Sequence, residues 1–142
     1  MNLGLDDALK IIHAARNAGR AAGMKPLSIV VLDAGGHVTA FQREDGSSNK
    51  RFEIAFGKAH GALALGIGSR ALMARAEQQP YFIAAVTTAI GGALVPVPGG
   101  VLVTDASGAT IGAVGVTGDS SDNDEKAAVA GITESGFGAT TG

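Results

Sequence analysis

A chain of 142 residues is long enough to enclose one hydrophobic core, and its composition excludes several classes of protein. It contains no cysteine, which rules out disulfides, thiolate nucleophiles, iron–sulfur clusters and cysteine-ligated zinc. The formal charge of −2 is spread without basic clusters, so we expect no nucleic-acid partner. The sequence shows neither a signal-peptide pattern nor an apolar run long enough for a bilayer. We therefore expect a single cytoplasmic domain over residues 1–142, with no membrane partner.

The first half of the chain predicts a helix, a hairpin and a second helix. Apolar residues recur at helical spacing over residues 5–22, which indicates an amphipathic helix. Two runs typical of strands, residues 27–32 and 38–41, are separated by turn residues at 33–36 and predict a β-hairpin. Helical spacing returns over residues 49–65, with these side chains on one side: Phe52, Phe56, Ala59 and Leu63.

The second half predicts short helices, two more strands and a closing helix. Residues 69–77 and 81–90 predict the short helices, the second weakened by its β-branched residues. Residues 101–104 and 109–116 predict strands, and the latter is apolar enough to be central. The closing helix is predicted over residues 123–134, with Ser121 and Asp124 as its capping box, and the tail after Gly136 is expected to fray.

Hairpins separated by helices favour an α+β fold with a mainly antiparallel sheet. Four strands are clear in the pattern, and residues 94–97 are the candidate for a fifth.

Three stretches of sequence follow one another in a recognisable order. They are VVLDAGGH at 30–37 with REDG at 43–46, then EIAFGKA at 53–59, then PGGV at 98–101 with IGAVGVTG at 111–118 and DE at 124–125. Together they resemble the GlcG/HbpS family, which also forms the C-terminal domain of PduO-type proteins. The resemblance implies a five-stranded, mainly antiparallel sheet flanked by helices, with profilin-like layering, in a homo-oligomer that is often an octamer. It also implies haem as the leading candidate cofactor, because several members bind it.

The second helix carries the main candidate site. Glu53, Gly57 and His60 share one of its faces, and seven residues place Glu53 about 10 Å along the axis from His60. With only a hydrogen at Gly57, this face offers a slot for a planar ligand, and His60 could bind iron or carry a proton. Phe56 and Tyr81 are candidate contacts, because aromatic residues are scarce. The alternative is that Gly57 allows close packing while Glu53 and His60 are solvated.

The remaining candidates are histidines and cations. His13 is a second possible iron ligand or a half-buried edge residue of the first helix, whereas His37 is expected to be an exposed hairpin residue. Arg43 and Lys58 could hold a carboxylate, or Arg43 could pair with Asp45 to close a turn. The loop before the closing helix is acidic and would repel a phosphate. Helix capping is therefore a better explanation for Asp124 and Glu125 than anion binding.

Two functional hypotheses follow. The first is a protein that binds haem or a similar flat cofactor for sensing, storage or delivery. The second is a cofactor-free lyase or isomerase acting on a small aromatic or hydroxy acid, with His60 as general base, Glu53 as its partner and Arg43 or Lys58 as the cation. A purely structural subunit would explain the same polar residues by capping and ion pairs.

Overall fold

The computed structural model describes residues 2–142. Five helices and five strands occur within these residues. In chain order they are α1 (Leu5–Ala21), β1 (Ser28–Asp33), β2 (Val38–Arg43), α2 (Arg51–Leu65), α3 (Ser69–Gln78), α4 (Pro80–Ala89), β3 (Gly100–Thr104), β4 (Thr110–Thr117), α5 (Ser121–Glu134) and β5 (Gly138–Thr140).

The strands form one antiparallel sheet in the order β2-β1-β4-β3-β5. This confirms the predicted α+β fold, the β1–β2 hairpin and the central position of the last long strand. No helix within residues 2–142 combines the length and apolarity needed to cross a bilayer.

Helices cover both faces of the sheet. Alternate residues of β1 point to opposite sides, so that Val31 packs with α1 and α5, whereas Val30 packs with α2. Both sides are apolar, which explains why β1 and β4 read as continuous apolar runs rather than alternating ones. The α3–α4 pair surrounds a smaller cluster of its own, formed by Leu72, Ile83 and Leu94.

The prediction of the fifth strand was wrong. Residues 94–97 are not a strand but cross over α2, where the Val95 amide donates to the Gly57 carbonyl at 3.1 Å. The fifth strand is β5 in the tail that we expected to fray, and it pairs with β3 from Leu102↔Thr140 to Thr104↔Gly138. Such a short edge strand of small residues has no apolar pattern to reveal it.

The predicted cap of the closing helix was displaced by one residue. Ser120, rather than Ser121, is the N-cap, and its hydroxyl accepts a hydrogen bond from the Asn123 amide at 3.2 Å. Asp124 is therefore free of the capping role that we gave it, and it is buried instead.

Glycines allow α2 to lie directly on the backbone of the sheet. A Cβ atom at Gly115 in β4 would overlap the carbonyl oxygen of Ala55 in α2 and lie 3.1 Å from the Ala59 Cβ. The residues of α2 that face the sheet are correspondingly small, chiefly Ala55, Ala59 and Ala62. The position of α2 therefore depends on the absence of side chains between helix and strand.

We expect Gly115→Ala to lower the free energy of unfolding by roughly 1–3 kcal/mol, because neither backbone can yield without breaking the sheet. Urea denaturation measures the change. Gly4→Ser is the control, since Gly4 has open space around it and occupies the N-cap of α1, where serine is favoured. An equal loss in both variants would contradict the close approach.

Candidate functional site

The outer side of α2 borders a cavity that is larger than the two other cavities described below, and we call it the α2 cleft. Its volume is about 440 Å³, within the size range of small-molecule sites. It lies between α2 and the segment that follows α4, and its lining consists of Phe52, Glu53, Phe56, Gly57, Gly91, Gly92, Ala93, Leu94 and Val95. Of the residues that we expected to meet a ligand, it thus brings together Glu53, Phe56 and Gly57.

The slot predicted at Gly57 is filled by the protein itself. A Cβ at Gly57 would lie only 2.6 Å from a methyl carbon of Val95, and one at Gly61 would lie 2.9 Å from Leu94 Cγ. Both glycines thus let the segment after α4 pack against α2. The structure thus gives Gly57 the close-packing role, while the residue still borders the α2 cleft.

His60 is half-buried and oriented by the same segment. Its ring stacks on Phe56, with centroids 5.1 Å apart and planes 22° apart. Its Nδ1 lies 2.8 Å from the carbonyl oxygen of Ala93, which can only accept a hydrogen bond, so Nδ1 carries the proton. In a neutral imidazole the proton-free nitrogen is then Nε2, whose lone pair points away from Ala93.

A second, smaller cavity lies beside His60 at the tip of the β1–β2 hairpin, and we call it the hairpin cleft. Its volume is about 150 Å³. Four of its six lining residues are alanine or glycine, and the lining consists of Ala34, Gly35, Gly36, His60, Leu63 and Ala64. His60 therefore borders a small cleft whose other walls are mostly backbone and small side chains.

Three phenylalanine rings and the imidazole of His60 form a continuous row. Phe41 meets Phe52 edge to face at 4.9 Å between centroids, and Phe52 stacks near Phe56 at 5.8 Å, which in turn stacks on His60. Phe52, Phe56 and His60 are spaced four residues apart, so the helix places them one above the other. The row restricts the tilt of the imidazole ring.

Lys58 does not lie on this outer surface. Its side chain is 2 % exposed, and its Nζ donates to the Val116 carbonyl at 2.9 Å and to Asp124 Oδ2 at 3.1 Å. Burial lowers the pKa of Lys58 and raises that of Asp124, while the attraction between the two charges opposes both shifts. The expectation that Lys58 contacts a ligand is therefore corrected. Glu125, the other residue assigned to capping, pairs with Arg70 at 3.1 Å.

The groups of the proposed enzyme mechanism do not converge. Glu53 pairs with Lys50 at 3.6 Å and leaves the imidazole of His60 to a backbone carbonyl. Arg43 is exposed and donates to the Ser47 carbonyl, so it closes the turn without the expected ion pair to Asp45. With Lys58 buried as well, neither a carboxylate partner nor an available cation accompanies His60.

None of the other candidates lines the hairpin cleft, although the ring of His37 lies beside Gly35 at its edge. His13 is exposed on α1, which covers the opposite face of the sheet from α2, so one iron cannot bind both His13 and His60. His37 is exposed as predicted, and its Nδ1 lies 3.0 Å from Asp33 Oδ1. Tyr81 is 71 % exposed at the start of α4 and does not line the α2 cleft.

Two features of the site could not be found in the sequence. The carbonyl of Ala93 carries no side-chain signature, and it reaches His60 only because residues 93–95 cross α2. The glycines at 35 and 36 were predicted as turn residues, but their place beside His60 follows from the packing of the hairpin tip near the end of α2.

Comparison with known proteins identifies the family. A family model described as "Haem degrading protein HbpS-like" matches residues 3–133. The solved structure of HbpS is 30 % identical, with a TM-score of 0.81 over 94 % of this chain and 90 % of that chain. A double mutant of the Streptomyces reticuli HbpS is likewise 30 % identical, with a TM-score of 0.80 over 94 % of this chain and 87 % of that chain.

A third likeness is one of fold alone. The structure of a PduOC–haem complex has a TM-score of 0.85 and covers 97 % of this chain and 98 % of that chain, at 24 % identity. No curated protein matches the sequence.

We expect Asp124→Asn to lower the free energy of unfolding by about 3–5 kcal/mol, because it leaves the ammonium of Lys58 buried without a counter-charge. Chemical denaturation checks this value. The double variant Lys58→Met/Asp124→Leu should recover much of the loss, since it removes both charges while keeping their volume. A double variant as unstable as the single one would show that the hydrogen bonds, not the buried charge, dominate.

Proposed function

Because the chain belongs to the HbpS-like family, we propose that it binds haem and that Nε2 of His60 is the iron ligand. The observation that carries this proposal is the hydrogen bond from His60 Nδ1 to the Ala93 carbonyl. Metal-binding histidines commonly donate their second N–H to a carbonyl or carboxylate, which fixes the tautomer and the ring orientation. His60 has this arrangement.

The surroundings of His60 suit a flat macrocycle. Ala34, Gly35, Gly36 and Ala64 leave most of the hairpin cleft without projecting side chains, and we propose that a planar molecule approaches Nε2 of His60 from this side. Phe56 supports the imidazole from one face and keeps its ring from rotating. Bound haem would supply an iron that takes axial ligands and exchanges electrons, whereas the chain supplies the ligand and its orientation.

The shallow site favours storage or delivery over permanent retention. A cavity of about 150 Å³ is below the range that encloses a small-molecule ligand, so one face of a macrocycle stays uncovered by this chain. Fewer enclosing contacts mean faster dissociation, as a carrier requires. The family description and the haem complex of PduOC support the same ligand.

We expect His60→Ala to weaken haemin binding by at least roughly tenfold. Loss of a supporting residue alone typically costs 10- to 100-fold in metal affinity, and this variant removes the ligand itself. Titration followed at the Soret band gives the affinity.

His37→Ala and His13→Ala serve as matched controls. Both histidines are exposed. His13 lies on the other face of the sheet and is the remote control, whereas His37 lies beside Gly35 and tests whether a histidine at the edge of the hairpin cleft can replace His60. If all three variants bound haemin as tightly as the wild type, haemin would be adsorbing to the surface and the proposal would be wrong.

The helix α4 supports the expectation of a homo-oligomer. Residues 80–89 contain no charged side chain, yet only Ile83 among them is buried. Its exposed residues recur at helical spacing as Tyr81, Ala84, Ala85, Thr88 and Ala89. We propose that this face packs against a second copy of the chain, since small side chains allow two helices to approach closely.

Ala85→Arg should shift the wild-type assembly towards monomer, because it places an uncompensated charge in the contact. Gel filtration with light scattering measures the mass at micromolar concentration. Ala106→Arg is the control, since Ala106 is exposed in the β3–β4 turn. A monomeric wild type, or an unchanged mass for Ala85→Arg, would sink this proposal.

A further inference from the structure

A separate pocket lies at the opposite end of α2 from His60, where three loops meet. We call it the loop pocket. Its volume is about 210 Å³, and its lining consists of Lys25, Pro26, Gly46, Ser47, Ser48, Arg51 and Gly118. The loops converge so closely that a Cβ at Gly118, whose φ is +149°, would overlap the Pro26 carbonyl oxygen. None of these residues borders the α2 cleft or the hairpin cleft.

Arg51 in this pocket has no acidic partner. Its Nε donates to Ser48 Oγ at 3.1 Å and its Nη1 to Thr117 Oγ1 at 3.0 Å, and both acceptors are neutral hydroxyls. A guanidinium has five N–H donors, and three of those of Arg51 have no acceptor among residues 2–142. Arg70, by contrast, is held by two carboxylates, and Arg16 and Arg20 share Glu44.

Lys25 adds a second cation to the same pocket. Across residues 2–142, no carboxylate oxygen lies within 4.0 Å of the side-chain nitrogens of Lys25 or Arg51. The nearby Asp119 is outside the lining, and its carboxylate is occupied by the Lys25 amide, the Ser120 amide and the Asn123 side chain. Ser48 Oγ accepts from Arg51, so its own proton is free to be donated.

We infer that the loop pocket is a binding site for a small oxyanion, in which the free edge of Arg51 and the ammonium of Lys25 hold the charge and Ser48 donates a hydrogen bond. A fork of N–H donors beside a point charge matches phosphate, and a carboxylate presents the same chemistry with less charge. This site is independent of haem, because it shares no residue with the surroundings of His60.

Inorganic phosphate is the probe, titrated at constant ionic strength and followed by calorimetry and by the amide NMR shifts of Ser47, Ser48 and Gly118. We expect saturable binding with one phosphate per chain. Arg51→Gln should weaken it by about tenfold or more, and Lys25→Gln should weaken it less, since an exposed lysine is a point charge in water. Arg51→Lys should fall between wild type and Arg51→Gln.

Lys10→Gln is the matched control, because it removes one exposed positive charge from α1, outside the pocket. A second titration with acetate separates the two sources: weaker binding than phosphate supports a phosphate group, and equal binding that still depends on Arg51 assigns the site to carboxylates. Lys25→Gln leaves the packing intact, so it tests the site even where Arg51→Gln unfolds. Non-saturable shifts, or an equal loss in Lys10→Gln, would overturn the inference.

Discussion

The buried ion pair between Lys58 and Asp124 fixes α2 against the rest of the molecule. The ammonium of Lys58 also donates to Val116 in β4, and Asp124 Oδ1 accepts from the amide of Asp119. The loop before β3 closes around the pair, since a Cβ at Gly99 would lie 2.8 Å from Lys58 Nζ. A buried pair of this kind contributes little to stability compared with apolar packing, but each charge requires its partner in place. The pair therefore fixes the position of α2 relative to β4 and α5.

The rotation of α2 that this pair imposes determines which residues can meet a ligand. Successive helical residues are turned by about 100°, so Phe56 and His60, two positions either side of Lys58, point away from the buried ammonium. Apart from Lys58, the buried residues of α2 are alanine and glycine, because the helix lies on the backbone of β4. The aromatic side chains of α2 lie on the outer side, where Phe52 and Phe56 form, together with Phe41 of β2, the row that ends at His60. The same rotation leaves Arg51, at the first turn, between the loops and the last residue of β4.

Much of the fold could be predicted from the sequence, because helical and alternating apolar spacing reports directly on burial. The hairpin, the central strand and four of the five strands follow from that spacing, whereas β5 does not, since its three residues are small or polar and gain their place only by pairing with β3. The candidate site was harder to predict from the sequence. Spacing placed Glu53, Gly57 and His60 on one face, but it could not reveal that Val95 covers Gly57. Lys58 looked available because a lysine on a helix is usually solvated, and only Asp124, sixty-six residues further on, explains its burial.

The two ends of α2 differ in chemistry because different segments of the chain supply the hydrogen-bond acceptors there. At the carboxyl end, the chain after α4 supplies a carbonyl acceptor, so the imidazole of His60 becomes a donor at Nδ1 and keeps a lone pair at Nε2. At the amino end, the β2–α2 loop and the end of β4 each supply a hydroxyl rather than a carboxylate, so the charge of Arg51 is oriented without being neutralised. Both groups are thus held in position by weak, neutral partners, which leaves their strongest interaction available. A carboxylate in either place would have satisfied the side chain within the protein, as Asp124 does for Lys58.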